Sequence, residues 1–153
     1  MNKITKILII IAIVVLLFCV VGVNAKTNYN NKVNWNVSDS LKETSDKNGA
    51  LCYSDSKDDD YGFRVIDSEI NKTEFKDMTK DNETGYYYRT FNEEKFVIVV
   101  YQEYVELDNH TYLIDAMATK IGDNLNESNI DENKLKEYIT YFNKHNNATI
   151  VDV

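Results

Sequence analysis

The sequence predicts an α+β protein: a mostly antiparallel sheet with one long C-terminal helix and one short helix packed on it, preceded by an N-terminal membrane helix. Three observations carry this reading. Ile7 to Val23 is an unbroken apolar run behind Lys3 and Lys6. Strand-like patterns, a short helical pattern, more strands, a long helical pattern and a last strand then follow in that order, with no internal repeat. Near the end, Leu135, Tyr138, Ile139 and Phe142 fall at the i, i+3, i+4, i+7 spacing of one helix face.

The apolar run carries no charge. As a helix it spans roughly 25 Å, slightly short of a hydrocarbon core of about 30 Å. It fits a signal anchor, the preferred reading, or a signal peptide cleaved after Ala25, with Val23-Asn24-Ala25 as the cleavage site. In both cases Lys3 and Lys6 keep the N-terminus cytoplasmic and residues 26–153 lie outside. The chain thus divides into a membrane segment (1–25), a polar tether (26–32) and an extracytoplasmic domain (33–153). Cleavage would release that domain as a secreted protein. Lipid attachment at Cys19 is disfavoured, because Phe18 stands where that processing wants a small residue. Cys52 is then the one cysteine outside, and packing is its expected role.

The exported part needs an account element by element. Val33, Trp35 and Val37 alternate with Asn34 and Asn36, which predicts a half-buried strand. Residues 38–49 hold one large apolar residue, Leu41, and predict a loop. Ala50–Ser54 and Phe63–Asp67 predict strands around a charged turn at Lys57–Asp60, closed by Gly62. Asn71 with Glu74 three residues on, then Phe75 and Met78, predicts a short helix over 72–80. Asp81–Gly85 is a turn, Tyr86–Phe91 a strand and Asn92–Glu94 a turn. Lys95–Leu107 is the strongest strand signal, and its run Phe96–Tyr101 predicts cover on both faces. After a turn at Asp108–His110, Thr111–Thr119 is expected to pair back as a strand, although Leu113, Met117 and Ile121 also fit a helix. Ser128 to Asp131 has a capping-box pattern and predicts a helix over 129–144, with Glu132 and Lys136 as an i, i+4 pair. Asn146-Asn147 ends it, and Ala148–Val153 is the last strand. The 135–142 stripe should pack on strand 96–101.

Composition narrows the function classes. The formal charge is −8, from 17 basic and 25 acidic residues, and the first 25 residues contribute two lysines and no acid. A chain this acidic lacks the basic face that nucleic acid requires, so no nucleic-acid partner is expected. Five Gly and no Pro exclude collagen-like and Pro-rich classes, and two Cys exclude a disulfide scaffold. Asn-x-Ser/Thr triplets occur at Asn36, Asn71, Asn82, Asn109, Asn126 and Asn147, against about two expected from composition, which fits an exported, glycosylated chain.

Catalytic signals are weak. Aligning Gly62 with the invariant glycine of a calcium loop puts Lys57, Tyr61 and Ser68 where ligands should be, so the acidic turn Asp55–Asp60 reads as solvated. His110 and His145 have no metal-ligand spacing around them. No nucleophile elbow or phosphate-cradling glycine loop occurs. Glu103 and Glu106 could be taken for a glycosidase pair, but 25 acids make some such pair inevitable. No cofactor is expected. Tyrosine, at 11 residues, is the one enrichment. Tyr86, Tyr87 and Tyr88 are consecutive, so a strand there displays aromatics on both faces and is the candidate binding surface.

With Lys3, Lys6, the Ile7–Val23 run and the sequon-dense exterior, the chain resembles short, single-pass exported archaeal proteins, whose function is uncharacterised. The resemblance lies in architecture and composition and implies no catalytic residue. The order of elements from 33 to 153 is also similar to small extracytoplasmic sandwiches of the PsbP kind. The expected function is a non-catalytic, membrane-anchored module that binds an envelope glycan or a partner protein. A small exported enzyme or accessory subunit is the alternative.

Overall fold

A computed structural model describes residues 34–47 and 50–153. The membrane segment at 7–23 and the tether at 26–32 lie outside the described residues. Among the described residues no helix is long and apolar enough to cross a membrane. These residues form one antiparallel sheet and a C-terminal helix, the α+β arrangement.

The strands are β1 (Leu41–Lys47), β2 (Ala50–Asp55), β3 (Tyr61–Asp67), β4 (Thr79–Lys80), β5 (Tyr87–Glu93), β6 (Phe96–Leu107), β7 (His110–Ile121) and β8 (Thr149–Ile150). Their order is β1-β2-β3-β7-β6-β5-β4, and β8 pairs with the same edge of β6 that β5 uses. The helix, α1, is Glu132–Asn146.

The sheet is built around β6 and β7, a hairpin with twelve residues in each arm. Asp108 and Asn109 join the arms with φ of 52° and 61°. Two positive φ values in a two-residue loop match the right-handed twist of the strands, and Asp and Asn tolerate them best after glycine. Thr111–Thr119 is therefore strand, with Leu113 and Met117 on one face and Ile114, Ala116 and Ala118 on the other.

Alternation along β6 divides the core. Val97, Val99, Tyr101 and Val105 face α1, whose Leu135, Tyr138, Ile139 and Phe142 are all buried against that side. Burying each such side chain stabilises by about 1.5–3 kcal/mol before entropy is counted. Phe96, Ile98 and Tyr104 point the other way and are buried too, with Phe91, Phe75 and Met78 packed around them. Both faces of Phe96–Tyr101 are thus covered. A buried ion pair lies in this second layer: Arg64 Nη2 donates to Asp115 Oδ2 at 2.6 Å and Nε donates to Oδ1 at 3.0 Å.

Five expectations need correction. Residues 34–38 are not a strand, although Trp35 is buried and Asn34 and Asn36 are exposed as the alternation requires. The backbone of Asn36 bonds instead to the Asn146 side chain at 3.0 and 2.8 Å, so the segment is laced to the helix end rather than to a strand. Residues 41–47, expected as a loop, form β1. An edge strand needs one anchor, here Leu41, and the exposed Lys42 and Glu43 suit an edge. The short helix at 72–80 is absent. Asn71 Oδ1 accepts from the amide and hydroxyl of Thr73, and i→i+3 bonds at Glu74, Lys76 and Met78 make a string of turns that passes into β4. Phe75 still packs inward, so the apolar pattern was real and the backbone differs. The capping box sits one turn early: Asn126 and Asn129 cap a single 3₁₀ turn, and Asp131 caps α1. Lys136 pairs with Asp81 and Glu83 instead of Glu132, whose carboxylate accepts from Tyr101 at 2.9 Å.

Candidate functional site

The three consecutive tyrosines divide between the faces, as alternation requires. Tyr86 is buried on the α1 side, where its hydroxyl lies 2.8 Å from Thr140 Oγ1. Tyr88, half-buried on the same side, stacks on Tyr101 at 5.3 Å. Tyr87 points to the opposite layer and stacks on Phe75 at 4.3 Å, with the Lys80 ammonium 5.4 Å from its ring. All three rings are packed, and Tyr87 and Tyr88 keep half-exposed edges.

The sequon asparagines all lie between regular elements. Asn36, Asn82, Asn109, Asn126 and Asn147 are exposed and Asn71 is half-buried. Asn36 Nδ2, the atom a glycan would occupy, donates to the His145 carbonyl at 3.0 Å.

The other candidates stay apart. His110 Nε2 meets Asp67 Oδ1 at 2.6 Å, and His145 caps its own helix through the Tyr141 carbonyl at 2.9 Å. Asp58, Asp59 and Asp60 each bring one carboxylate oxygen within 4.8 Å of the others on the turn after β2. Beside them Asp55 is fully engaged: burial works to raise its pKa, but the Tyr138 hydroxyl, the Lys57 amide and Lys134 hold it well below the usual range. Cys52 is half-buried on β2. Glu103 and Glu106 occupy opposite faces of β6, Glu103 buried and Glu106 exposed, so they are no catalytic pair.

Glu103, which the sequence offered only as half of a dismissed carboxylate pair with Glu106, stands out in the structure. It stands on the α1 face of β6, in line with Val99, Tyr101 and Val105, at 1 % exposure. On the open edge of β6, β5 pairs as far as Gln102 (with Tyr87), and β8 takes over at Val105 (with Ile150). Glu103 lies at that gap. Its Oε1 accepts from the Tyr104 amide at 3.2 Å, while Oε2 is buried without a hydrogen-bond partner. Burial, only partly offset by the Tyr104 amide and Lys80, pushes its pKa up to about 7.

A shallow recess of about 530 Å³ opens beside Tyr86, lined also by Thr140, Asn143, Lys144, Ala148 and Ile150; Glu103 is not part of its lining. The Asn143 carboxamide is near the Tyr86 hydroxyl, yet its nitrogen and oxygen are buried and make no hydrogen bond of good geometry. Burial, and to a lesser degree the charge of Glu103, raise the Tyr86 pKa. The only sequence signal was a glutamate inside an otherwise inward-facing run.

Comparison with protein-family models, curated proteins and solved structures finds no match to this chain.

Proposed function

We propose that the chain is a non-catalytic recognition module, displayed outside the membrane by residues 7–23, that binds an envelope component or a partner protein. One observation carries this reading. At the β5–β8 gap a shallow recess is lined by Tyr86, Thr140 and Asn143, with the Tyr86 and Thr140 hydroxyls 2.8 Å apart, and these side chains form no nucleophile–base pair. Lys3 and Lys6 ahead of the apolar run support the orientation. The exposed sequons at 82, 109 and 126 are compatible with an exterior location. A small exported enzyme is favoured by one feature alone, the protonation of Glu103 near neutrality, a property of general acids.

Retention of the full-length protein, in detergent, on isolated envelope material tests the reading. The module predicts saturable retention that survives Glu103→Gln, because a neutral amide keeps most of the hydrogen bonding. An absence of saturable retention would sink it. Turnover of an envelope substrate that is lost in Glu103→Gln would instead establish the enzyme.

A further inference from the structure

We infer that the outer edge of β5 is a self-association surface, on which a second copy of this chain adds its own β5 in antiparallel register about a two-fold axis at Phe91.

β4 covers only Tyr87 and Tyr88 of β5. Residues 89–93 therefore pair with β6 on one side and, among the described residues, with no strand on the other. The turn before β5 fixes which backbone groups face that open side. The Asp81 amide donates to the Tyr86 carbonyl at 2.7 Å, so Tyr86 faces the outer edge. Strand alternation then aims the N–H and C=O of Thr90 and Asn92 outward as well. β1, at the opposite edge of the sheet, carries a register shift between Glu43 and Ser45, a device that blunts an edge. The ladder of β5 with β6 runs unbroken from Tyr87 to Glu93.

The open stretch, Arg89-Thr90-Phe91-Asn92-Glu93, is its own complement. With Phe91 on the axis, Thr90 of each copy lies opposite Asn92 of the other, and their outward groups exchange backbone hydrogen bonds. Arg89 then lies opposite Glu93 of the other copy, and Phe91 opposite Phe91. These are non-hydrogen-bonded pairs, whose side chains come closest. Centring on Thr90 would run the added strand into β4, and centring on Asn92 would leave Arg89 without an acid across from it. The length fits too. The chain turns away at Glu94-Lys95, so the added strand ends opposite Arg89, just short of the Thr79–Tyr88 pair.

The side chains suit this register. Arg89, Phe91 and Glu93 share the face away from α1. The Arg89 guanidinium lies 5.5 Å from the centre of the Phe91 ring, so it leans along the strand toward the axis. Glu74 also feels the Arg89 charge, and the exposed Glu93 of the other copy adds to that field. Phe91 packs on Phe96, Ile98 and Met117, and pairing joins the clusters of both copies. A two-fold axis normal to the sheet keeps Trp35 of both copies on the α1 side of the joined sheet. Both chains can then run to one membrane.

Sedimentation equilibrium of the full-length protein in density-matched micelles tests this pairing. The wild type should dimerise reversibly. Arg89→Glu and Glu93→Arg each set like charges against one another across the axis and should weaken dimerisation by about tenfold. The double variant, and an equimolar mixture of the two single variants, restore opposite charges at every pair and should recover it. In a Cys19→Ser, Cys52→Ser background, Phe91→Cys should form an interchain disulfide on mild oxidation, because it meets itself on the axis. Thr90→Cys should not, because its counterpart lies diagonally across, beyond the roughly 7 Å between Cα atoms that a disulfide spans. Circular dichroism confirms that each variant is folded. A monomeric wild type, a dimer indifferent to the charge changes, or a loss that neither the double variant nor the mixture restores would overturn the inference. Equal cross-linking at positions 90 and 91 would do the same. Each of these results leaves the module reading in place, since envelope retention tests that separately.

Discussion

At the scale of single residues, Glu103 makes a prediction about stability that needs no ligand. Its folded pKa of about 7 lies above the ordinary glutamate value, so the folded state holds a proton that the unfolded chain releases. Below about pH 4 both states are protonated and the group is neutral to stability. As pH rises toward 7 the unfolded state ionises first, and stability is lost progressively until the folded carboxyl also ionises. Glu103→Gln removes this linkage. It should match the wild type near pH 4 and exceed it at pH 8 by about 2–3 kcal/mol, the full linkage of about 3 kcal/mol being reduced by partial solvent screening. Urea melts of both proteins at the two pH values measure the difference. Asp55 has the opposite sign, because its depressed pKa contributes stability that is lost on acidification. Comparing Glu103→Gln with the wild type at each pH cancels that contribution.

At the scale of elements, α1 and β6 were legible and the segments at 34–47 and 71–80 were not. The helix could be read because four large residues share one face and all four are buried. Phe142→Ala should therefore cost about 3–5 kcal/mol, since the ring sits between Trp35 and Phe63 at 5.4 and 5.6 Å. Glu137→Ala, on the exposed face, should stay within about 0.5 kcal/mol. Equal shifts in denaturant midpoint would mean that the stripe does not face the sheet. Lys136 on the same helix would not serve as a neutral control, because its ammonium joins Asp81 and Glu83. Where the reading failed, the apolar residues were assigned correctly and their backbone partners were not. Trp35 and Phe75 both pack inward, but a hydrogen bond from Asn36 to a distant side chain, or an Asx turn at Asn71, leaves no trace in hydrophobic spacing. The recess was invisible for a related reason: it exists only because β5 stops and β8 starts on one edge of β6, and pairing limits are set by tertiary structure. The tyrosine cluster pointed near it, through Tyr86, while Glu103 and Asn143 carried no pattern of their own.

At the scale of the whole molecule, Lys3 and Lys6 predict an N-in, C-out orientation. Protease added to intact cells should digest residues 26–153, and protection until lysis would reverse the assignment. The order of the sheet bears on how such a chain acquires its structure. The β6–β7 hairpin closes across two residues, so its ladder can zip at little loop-closure cost. By contrast β3 must find β7 across everything between Asp67 and Tyr112, and β1 and β2 join the sheet through β3. Long-range pairing of this kind slows folding. Because synthesis runs from the N-terminus, β1 to β3 are made before the strand that stabilises them. Their open edge must wait for β7, and the length of that wait sets how long unpaired strand backbone stays exposed to other chains.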